Sequence, residues 1–306
     1  MASCPYCGGP PAGAAYPYAT RWRGRRFTYH GCGGCGAGFI DPLPSAEDLD
    51  SLFDRAAFHD LFYRDPAPSE DQLASLAWMQ AFVPAGATLL DFGCANGAFM
   101  KAAASLGFAV RGVEQNPSSI AFAREQSGLD VCSLDQLLAG EARFDIVHVA
   151  DVLSHLPRPA ELLRALERLL APGGVLVVEG PLERQRNLVY LALASGKAMK
   201  RALGRQRDGE HAPLHLTFSS WKSQDRFFAL MGYERIALDL HEDGWPFPTE
   251  APAGSGAGAK ARALIARAAV AFSKTRAGRS LGAYNRFRAV LKPRTDPRPA
   301  HSVSAR

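Results

Sequence analysis

The chain has 306 residues, of which 47% are hydrophobic, and its formal net charge is +5. This composition predicts a globular protein with a full apolar core, arranged as one large domain or two small ones. The sequence shows no basic start followed by an apolar stretch and no apolar run of about 18 residues. We therefore expect neither a signal peptide nor a membrane span, and a cytoplasmic location.

Two cysteine pairs with Cys-x-x-Cys spacing stand near the start of the chain, separated by 24 residues: Cys4, Cys7, Cys32 and Cys35. Four thiolates on two tight turns make a closed tetrahedral site, which predicts a structural Zn²⁺ ion in a zinc ribbon over residues 1–44. A redox pair is the alternative, but thioredoxin-like motifs belong to a βαβ context that this stretch lacks. Cys94 and Cys132 are expected to be core or pocket residues.

Residues 21–26, RWRGRR, predict a basic and aromatic hairpin tip between the two cysteine pairs. A solvated tip is the first interpretation. Contact with RNA is the second, because basic side chains beside aromatic ones suit nucleic acids.

Residues 45–85 are expected to form a helical connector or cap. Ser45 precedes a helix whose first turn holds Glu47 and Asp48, which is typical of a helix start. Aromatic residues of this stretch are expected to pack as a helical layer over the core that follows: Phe53, Phe58, Phe62, Tyr63 and Trp78.

The central unit is ATLLDFGCANGAFMKAAASLGFAVRGVEQNP, residues 87–117, in which a strand ending at Asp91 is followed by a glycine turn, a helix and a second strand. Glu114 lies 17 residues after Gly97, about the spacing at which a βαβ unit presents an acid to a ribose diol. A dinucleotide turn holds an anionic pyrophosphate, whereas Asp91 beside Gly93 would repel phosphate and attract a cation. S-adenosylmethionine, with its ammonium and sulfonium, is such a cationic ligand.

The turn DFGCANG resembles the first motif of the class I S-adenosylmethionine-dependent methyltransferases, an acid-x-Gly-x-Gly-x-Gly loop in which Ala95 here replaces the middle glycine. Alanine is compatible with this loop unless the position needs a positive φ. The order of ribbon, helical connector and core is similar to that of zinc-ribbon methyltransferases of sugar and polysaccharide biosynthesis. The resemblance implies that Asp91, Gly93 and Gly97 hold the methionine end of the cofactor and Glu114 its ribose.

Two later segments extend this resemblance. Asp135 follows the third strand, where the family places an acid beside the adenine; an acid at a helix N-terminus is the alternative. Residues 144–159, FDIVHVADVLSHLPRP, form a strand and a loop that place Asp151 and His155 near the transferred methyl group.

Histidines are the candidate general bases, because an imidazole suits removal of a proton from a hydroxyl or a carbon acid at neutral pH. His155 ranks first, His215 second and His211 third, the last two on a stretch similar to the family's H-L-x-x-F-S segment. Asp151 is expected to orient the base or to bind the acceptor. The alternative for His155 is a hydrogen bond to the loop backbone.

Basic residues concentrate towards the end of the chain. Residues 260–306 hold 12 Lys and Arg and one Asp, a net charge of +11, so the rest of the chain carries −6. This asymmetry indicates an acidic partner, a phosphate or a membrane surface, or else a solvated basic helix and tail. Residues 185–207 are expected to form a basic helical lid over the substrate, and residues 286–292 a seventh strand.

Strands and helices alternate from Thr88 to Leu240, which predicts an α/β fold with a doubly wound, Rossmann-like methyltransferase core over residues 86–240. Residues 241–306 are expected to add a loop, a basic helix, the strand and a tail. The predicted function is methyl transfer from S-adenosylmethionine to a small acceptor, which the resemblance implies is a sugar or nucleotide-linked sugar. An RNA methyltransferase and a non-catalytic S-adenosylmethionine-binding scaffold are the alternatives.

Overall fold

The computed structural model describes residues 3–53, 65, 67–205 and 207–294. Phe58, Phe62 and Tyr63, which the sequence assigns to a helical layer, lie outside these described residues. The strands are β1 (Pro11–Trp22), β2 (Arg25–Cys32), β3 (Gly38–Asp41), β4 (Thr88–Phe92), β5 (Ala109–Val113), β6 (Val131–Cys132), β7 (Phe144–Ala150), β8 (Leu170–Pro181), β9 (Gly209–Glu210), β10 (Thr217–Phe218), β11 (Tyr233–His241) and β12 (Arg286–Pro293).

The α-helices alternate with the strands of the core and also precede and follow it. They are α1 (Ala46–Leu52), α2 (Glu70–Met79), α3 (Ala98–Ser105), α4 (Pro117–Ser127), α5 (Leu134–Leu138), α6 (Pro159–Glu167), α7 (Leu188–Ala202), α8 (Trp221–Leu230), α9 (Ala257–Ser273) and α10 (Arg276–Ser280). No helix of the described chain is both long enough and apolar enough to cross a lipid bilayer.

The larger sheet has seven strands in the order β11-β12-β8-β7-β4-β5-β6. Strands β4 to β8 run parallel to one another, and β12 is antiparallel to both β8 and β11. Leu89, Leu90, Ile146 and Val147 are fully buried on the central strands, as expected for a sheet covered on both faces. The predicted doubly wound α/β fold is confirmed, and β12 is the strand that the sequence indicated at residues 286–292.

Helix α6 begins at Pro159 and ends at Glu167. Proline favours the first turn of a helix because its fixed φ is already helical and its missing N–H has no partner there. Leu170 starts β8, which runs through the turn Pro172-Gly173-Gly174.

The smaller sheet has five strands in the order β10-β3-β2-β1-β9, and it contains two strands from a late part of the chain. Strand β9 pairs with β1, and β10 pairs with β3. Tyr6 stacks on Phe227 of α8 with ring centroids 4.4 Å apart and donates a hydrogen bond to Gln224 at 2.9 Å. Residues 3–44, which belong to the stretch that the sequence treats as a ribbon of its own, therefore share an apolar core with the larger sheet.

The hairpin tip between β1 and β2 turns at Arg23 and Gly24, with φ of 48° and 72°. Its arginines pair with acids of the same chain. Arg21 and Arg26 contact Asp208 at 3.2 Å and 2.8 Å, and Arg25 contacts Asp48 at 2.6 Å. These ion pairs favour the solvated hairpin over an RNA-binding tip, because two acids offset part of the positive charge of the four arginines that would attract phosphate.

Candidate active site

The turn after β4 has a backbone that only small residues tolerate. Gly93 and Gly97 have φ of 78° and 75°, and a Cβ at Gly93 would lie 2.7 Å from Cγ2 of Val152. Ala95 also has a positive φ, 50°, so the middle position of the motif is one at which alanine is strained. The Ala95 N–H donates to Oε1 of Glu114 at 2.7 Å, and this bond holds the turn against the end of β5.

A cavity of about 370 Å³, here called the cofactor cavity, opens at the carboxyl ends of β4, β5 and β7. It is lined by several of the residues that the sequence singled out: Gly93, Glu114, Asp135, Asp151 and His155. Burial raises the pKa of Glu114 to about 7. Asp135 is exposed in the first turn of α5, which is the helix N-terminal alternative, and its place beside the adenine stays a prediction.

A second cavity of about 260 Å³, the polar cavity, adjoins the first and shares Gly93 and Asp151 with it. Asp91, at the end of β4, lines this second cavity. Gly97, which the sequence assigns to the cofactor site, is not among the described residues that line these two cavities. It begins α3, and a Cβ there would meet the Cβ of Ser127 at 2.6 Å, so its role is close packing between helices rather than lining either cavity.

A buried histidine is hydrogen-bonded to the carboxylate of Asp91. His148 of β7 is 2% exposed and stacks on Phe99 with centroids 4.2 Å apart. Its Nδ1 lies 2.8 Å from Oδ1 of Asp91, and its Nε2 lies 3.2 Å from Oε1 of Glu179. Although burial lowers the pKa of His148, the hydrogen bonds to these two carboxylates raise it to about 9. The two carboxylates therefore favour the imidazolium form of the ring.

Two arginines of β12 complete this charged layer. Arg288 bonds Glu179 at 3.1 Å and Asp239 at 3.0 Å, and Arg286 holds Asp151 through two bonds of 3.0 Å and 2.9 Å. Asp151 has a positive φ of 53°, so the arginine clamp stabilises a strained backbone.

Sequence analysis missed four members of this layer: His148, Glu179, Arg286 and Arg288. The available signal was a charged residue inside an otherwise apolar strand, as in FDIVHVA and VLVVEG. Such residues are rarely buried without partners.

A third cavity of about 290 Å³, the aromatic cavity, lies between the smaller sheet, α7 and the segment that joins β9 to β10. Its walls are mostly apolar, and aromatic side chains line several sides: Tyr16, Tyr29, Tyr190, Phe218 and Trp245. His211, His215, Glu183 and Lys197 also line it. His155, which lines the cofactor cavity, and His215, which lines the aromatic cavity, are in contact, and their rings lie edge to face with centroids 4.6 Å apart.

These two histidines differ in basicity. His155 Nδ1 donates to the Leu214 carbonyl at 2.8 Å, and burial together with the neighbouring His215 lowers the pKa of His155 to about 3. His215 Nδ1 is hydrogen-bonded to Glu183, and although burial lowers the pKa of His215, this carboxylate raises it overall. The sequence ranked His155 first, but the geometry favours His215, because an imidazole with a pKa near 3 is a poor base at neutral pH. His211 is exposed, and its Nδ1 lies 3.2 Å from the Ala212 carbonyl.

The four N-terminal cysteines form a separate cluster. Their sulfur atoms all lie within 4.8 Å of one another, with 3.7 Å between Cys4 and Cys35 and 3.4 Å between Cys7 and Cys32. Tetrahedral thiolates about 2.3 Å from a zinc ion would stand about 3.8 Å apart, so the cluster has the right size. A Cβ on Gly9 would lie 3.0 Å from the Cys32 sulfur, which explains the glycine beside this site.

Comparison with known proteins identifies the class of enzyme. The family model "Methyltransferase domain" matches residues 70–237, which is more than half of the chain, so the chain belongs to this family. The prediction of an S-adenosylmethionine-dependent methyltransferase is thereby confirmed as an enzyme class.

Two relatives show how far the sequence similarity extends. The ubiquinone biosynthesis O-methyltransferase of Caulobacter vibrioides is 39% identical over 117 residues, covering 36% of this chain and 45% of that protein. The ribosomal protein L11 methyltransferase of Bordetella parapertussis is 38% identical over 141 residues, covering 44% of this chain and 43% of that protein. The chain thus spans less than half the length of these relatives.

Solved structures agree with the fold. A SAM-dependent methyltransferase from Archaeoglobus fulgidus aligns with a TM-score of 0.50 at 16% identity, over 77% of this chain and 99% of that one. A chain from the complex between the Haloferax volcanii Trm112 methyltransferase activator and a methyltransferase aligns with a TM-score of 0.51 at 17% identity, over 82% and 100%. At this level of identity the likeness describes the fold alone.

Proposed function

We propose that this enzyme transfers the methyl group of S-adenosylmethionine to a hydroxyl group of a small aromatic acceptor held in the aromatic cavity. The observation that carries the proposal is the contact between His155 and His215, since His155 lines the cavity at the strand ends and His215 lines the cavity with aromatic walls. When bound, S-adenosylmethionine supplies an activated methyl group on a sulfonium.

The cofactor residues are assigned by their chemistry and position. Asp91 is the residue for the methionine ammonium, because it is an acid at the end of β4 and the turn at Gly93 gives the backbone room. Glu114 would hold the ribose diol, since its carboxylate lines the cofactor cavity at the end of β5. Asp135 lies further along the same cavity, on the side proposed for the adenine. Gly97 supports this site indirectly, through the packing of α3.

The aromatic walls favour a flat hydroxy acceptor over the sugar indicated by the sequence. Aromatic rings bind flat ligands by stacking and edge contacts. A nucleotide-linked sugar needs several cations for its diphosphate, and Lys197 is the one lysine or arginine among the described residues that line the cavity. The O-methyltransferase name of the Caulobacter relative supports an oxygen acceptor. The paired arginines of the hairpin tip weigh against the RNA alternative.

His215 is proposed as the general base. Its Nδ1 is bonded to Glu183, which leaves Nε2 as the ring nitrogen that accepts the hydroxyl proton. The Glu183 carboxylate then stabilises the imidazolium that forms, as in other pairs of a base and an orienting acid. His155 forms part of the cofactor-cavity wall beside His215, and Asp151, which is bound by Arg286, lines the same cavity.

The proposal is tested with radiolabelled S-adenosylmethionine and three acceptor sets: catechols and other phenols, nucleotide sugars, and RNA. We expect label in the phenol set. His215→Ala should lower kcat by roughly 10²- to 10⁴-fold with unchanged cofactor affinity, and Glu183→Gln by less. His211→Ala, on the same cavity, is the matched control and should retain most turnover. Label confined to nucleotide sugars or RNA would contradict the acceptor, and normal turnover of the His215 variant would contradict the base.

We also propose that Cys4, Cys7, Cys32 and Cys35 hold one Zn²⁺ ion in a closed structural site. Support comes from the spacing of the four sulfur atoms and from the Gly34 N–H, which donates to the Cys32 sulfur at 3.3 Å. Four thiolates leave no coordination position for substrate, so the ion would stabilise the fold of the smaller sheet.

A further inference from the structure

Helix α7 carries a line of exposed apolar side chains on its outer side. Leu188, Leu191, Met199 and Leu203 at its C-cap are 38%, 46%, 64% and 60% exposed. These positions lie within about 60° of one direction when the residues are spaced by 100° around a helix. We call them the α7 stripe. The stripe is too regular for scattered surface hydrophobics, which need no explanation when they occur singly.

The opposite side of the same helix has a different task. Val189, Tyr190, Leu193 and Lys197 line the aromatic cavity. Because this inner side already anchors α7 to the protein, the outer stripe is not needed for the fold. Helix α7 is thus apolar on two sides, one packed against the cavity and one open.

The surroundings of the stripe are strongly basic. The sequence from Arg184 to Arg207 contains no Asp or Glu, and neither does the sequence from residue 251 to residue 294. Helix α9 packs against α7 and is followed by α10. The exposed residues of this region add cations and two more apolar side chains: Lys200, Arg201, Arg205, Lys260, Arg262, Leu264, Arg267, Lys274, Arg276, Arg279 and Leu281.

We propose that the α7 stripe and the basic surface of α9 and α10 bind the surface of an anionic phospholipid bilayer. Exposed leucine and methionine flanked by cations without interspersed acids is the pattern of helices that lie in a membrane interface. Each cation near an anionic surface contributes attraction, and the apolar side chains enter the boundary between headgroups and acyl chains. RNA fits the stripe less well, because unpaired bases stack on aromatic side chains and the exposed side chains of the stripe are aliphatic.

Bilayer binding would place one wall of the aromatic cavity beside the membrane. This consequence rests on the proposed function, since it concerns the route of the acceptor. Helix α7 would then separate the bilayer from the cavity by about one helix diameter, roughly 10 Å, which gives an acceptor dissolved in the bilayer a short route to the cavity. The lipid contact itself is independent of turnover and is tested without an acceptor.

The experiment is cosedimentation of the full chain with vesicles of phosphatidylcholine alone or of phosphatidylcholine mixed with phosphatidylglycerol. We expect binding to the mixed vesicles, at least tenfold stronger than to the neutral ones and weakened by added salt. The double variant Leu191→Glu with Leu203→Glu should lose at least tenfold in partitioning to mixed vesicles. The matched control is Leu106→Glu, a residue 47% exposed after α3 and away from the stripe, which should bind as the unaltered chain does.

Three outcomes would overturn the inference: no binding to mixed vesicles, equal loss in the control, or competition by an RNA oligomer at equal charge. Cofactor affinity and thermal melting of each variant report folding, so a misfolded stripe variant is recognised. In that case the single variant Met199→Gln is used, because it removes apolar character without adding charge. We expect it to partition more weakly to mixed vesicles, and unchanged partitioning would refute a role of the α7 stripe in lipid binding. If the unaltered chain binds mixed vesicles but transfers no methyl group to phenols, the proposed function is refuted and the lipid inference stands.

Discussion

Replacing the buried His148 by asparagine should remove a pH-dependent part of the stability. The imidazolium lies between Asp91 and Glu179 and has a pKa of about 9, against an ordinary value near 6.5. A folded-state pKa raised in this way adds stability below pH 6.5, and the gain disappears as the pH rises through 9. From these two pKa values the contribution is about 3 kcal/mol at pH 6, about 2 kcal/mol at pH 7.5 and less than about 1 kcal/mol at pH 9.

The assay is urea unfolding of both proteins at these three pH values, followed by far-ultraviolet circular dichroism. The difference in free energy of unfolding between the unaltered chain and His148→Asn should shrink by about 3 kcal/mol from pH 6 to pH 9. Leu89→Ala is the control, because Leu89 is a fully buried apolar residue of the neighbouring strand β4. It should lower stability by about 2–5 kcal/mol at every pH.

Parallel pH curves for the unaltered chain and the His148 variant would refute the reasoning. They would mean that His148 is neutral in the folded protein and that one of its two carboxylates carries the proton instead. A loss that grows towards pH 9 would also contradict the assigned sign.

Three further outcomes are expected. Because the pKa of Glu114 is about 7, its ionised fraction rises from about one tenth at pH 6 to about nine tenths at pH 8. Cofactor affinity measured by calorimetry should therefore rise about tenfold over this range, and the affinity of Glu114→Gln should not change with pH. Metal analysis should find about one zinc per chain, lost in Cys4→Ser and kept in the control Cys132→Ser. Gly97→Ala should lower the free energy of unfolding by about 1–3 kcal/mol, because its Cβ would clash with Ser127; an unchanged melting temperature would contradict this.

The fold was predictable because its signals are local. An apolar strand, a glycine turn and a helix follow one another between residues 87 and 117, and the structure repeats that order in β4, α3 and β5. Helix α4 begins at Pro117 and ends at Ser127, where the sequence indicated it, since proline favours the first turn and Gly128 follows the last.

The site was predictable only in part, because two of its determinants are not local. The sequence could not reveal that β12 would place Arg286 beside Asp151, which is distant along the chain. Nor could it rank the histidines, since basicity depends on what surrounds each ring. Burial depresses the pKa of His155, whereas Glu183, which drew no attention in the sequence, raises that of His215.

The late strands of the smaller sheet impose an order on how the protein is completed. Strands β9 and β10 flank the segment that carries His211 and His215, and both pair with strands formed by the first residues of the chain. During synthesis, the smaller sheet is complete only after residue 218 has been added, because β1 and β3 pair with strands that are very distant along the chain. The proposed general base is therefore fixed in place only when the two ends of the core have met, so an incomplete chain holds no assembled acceptor site.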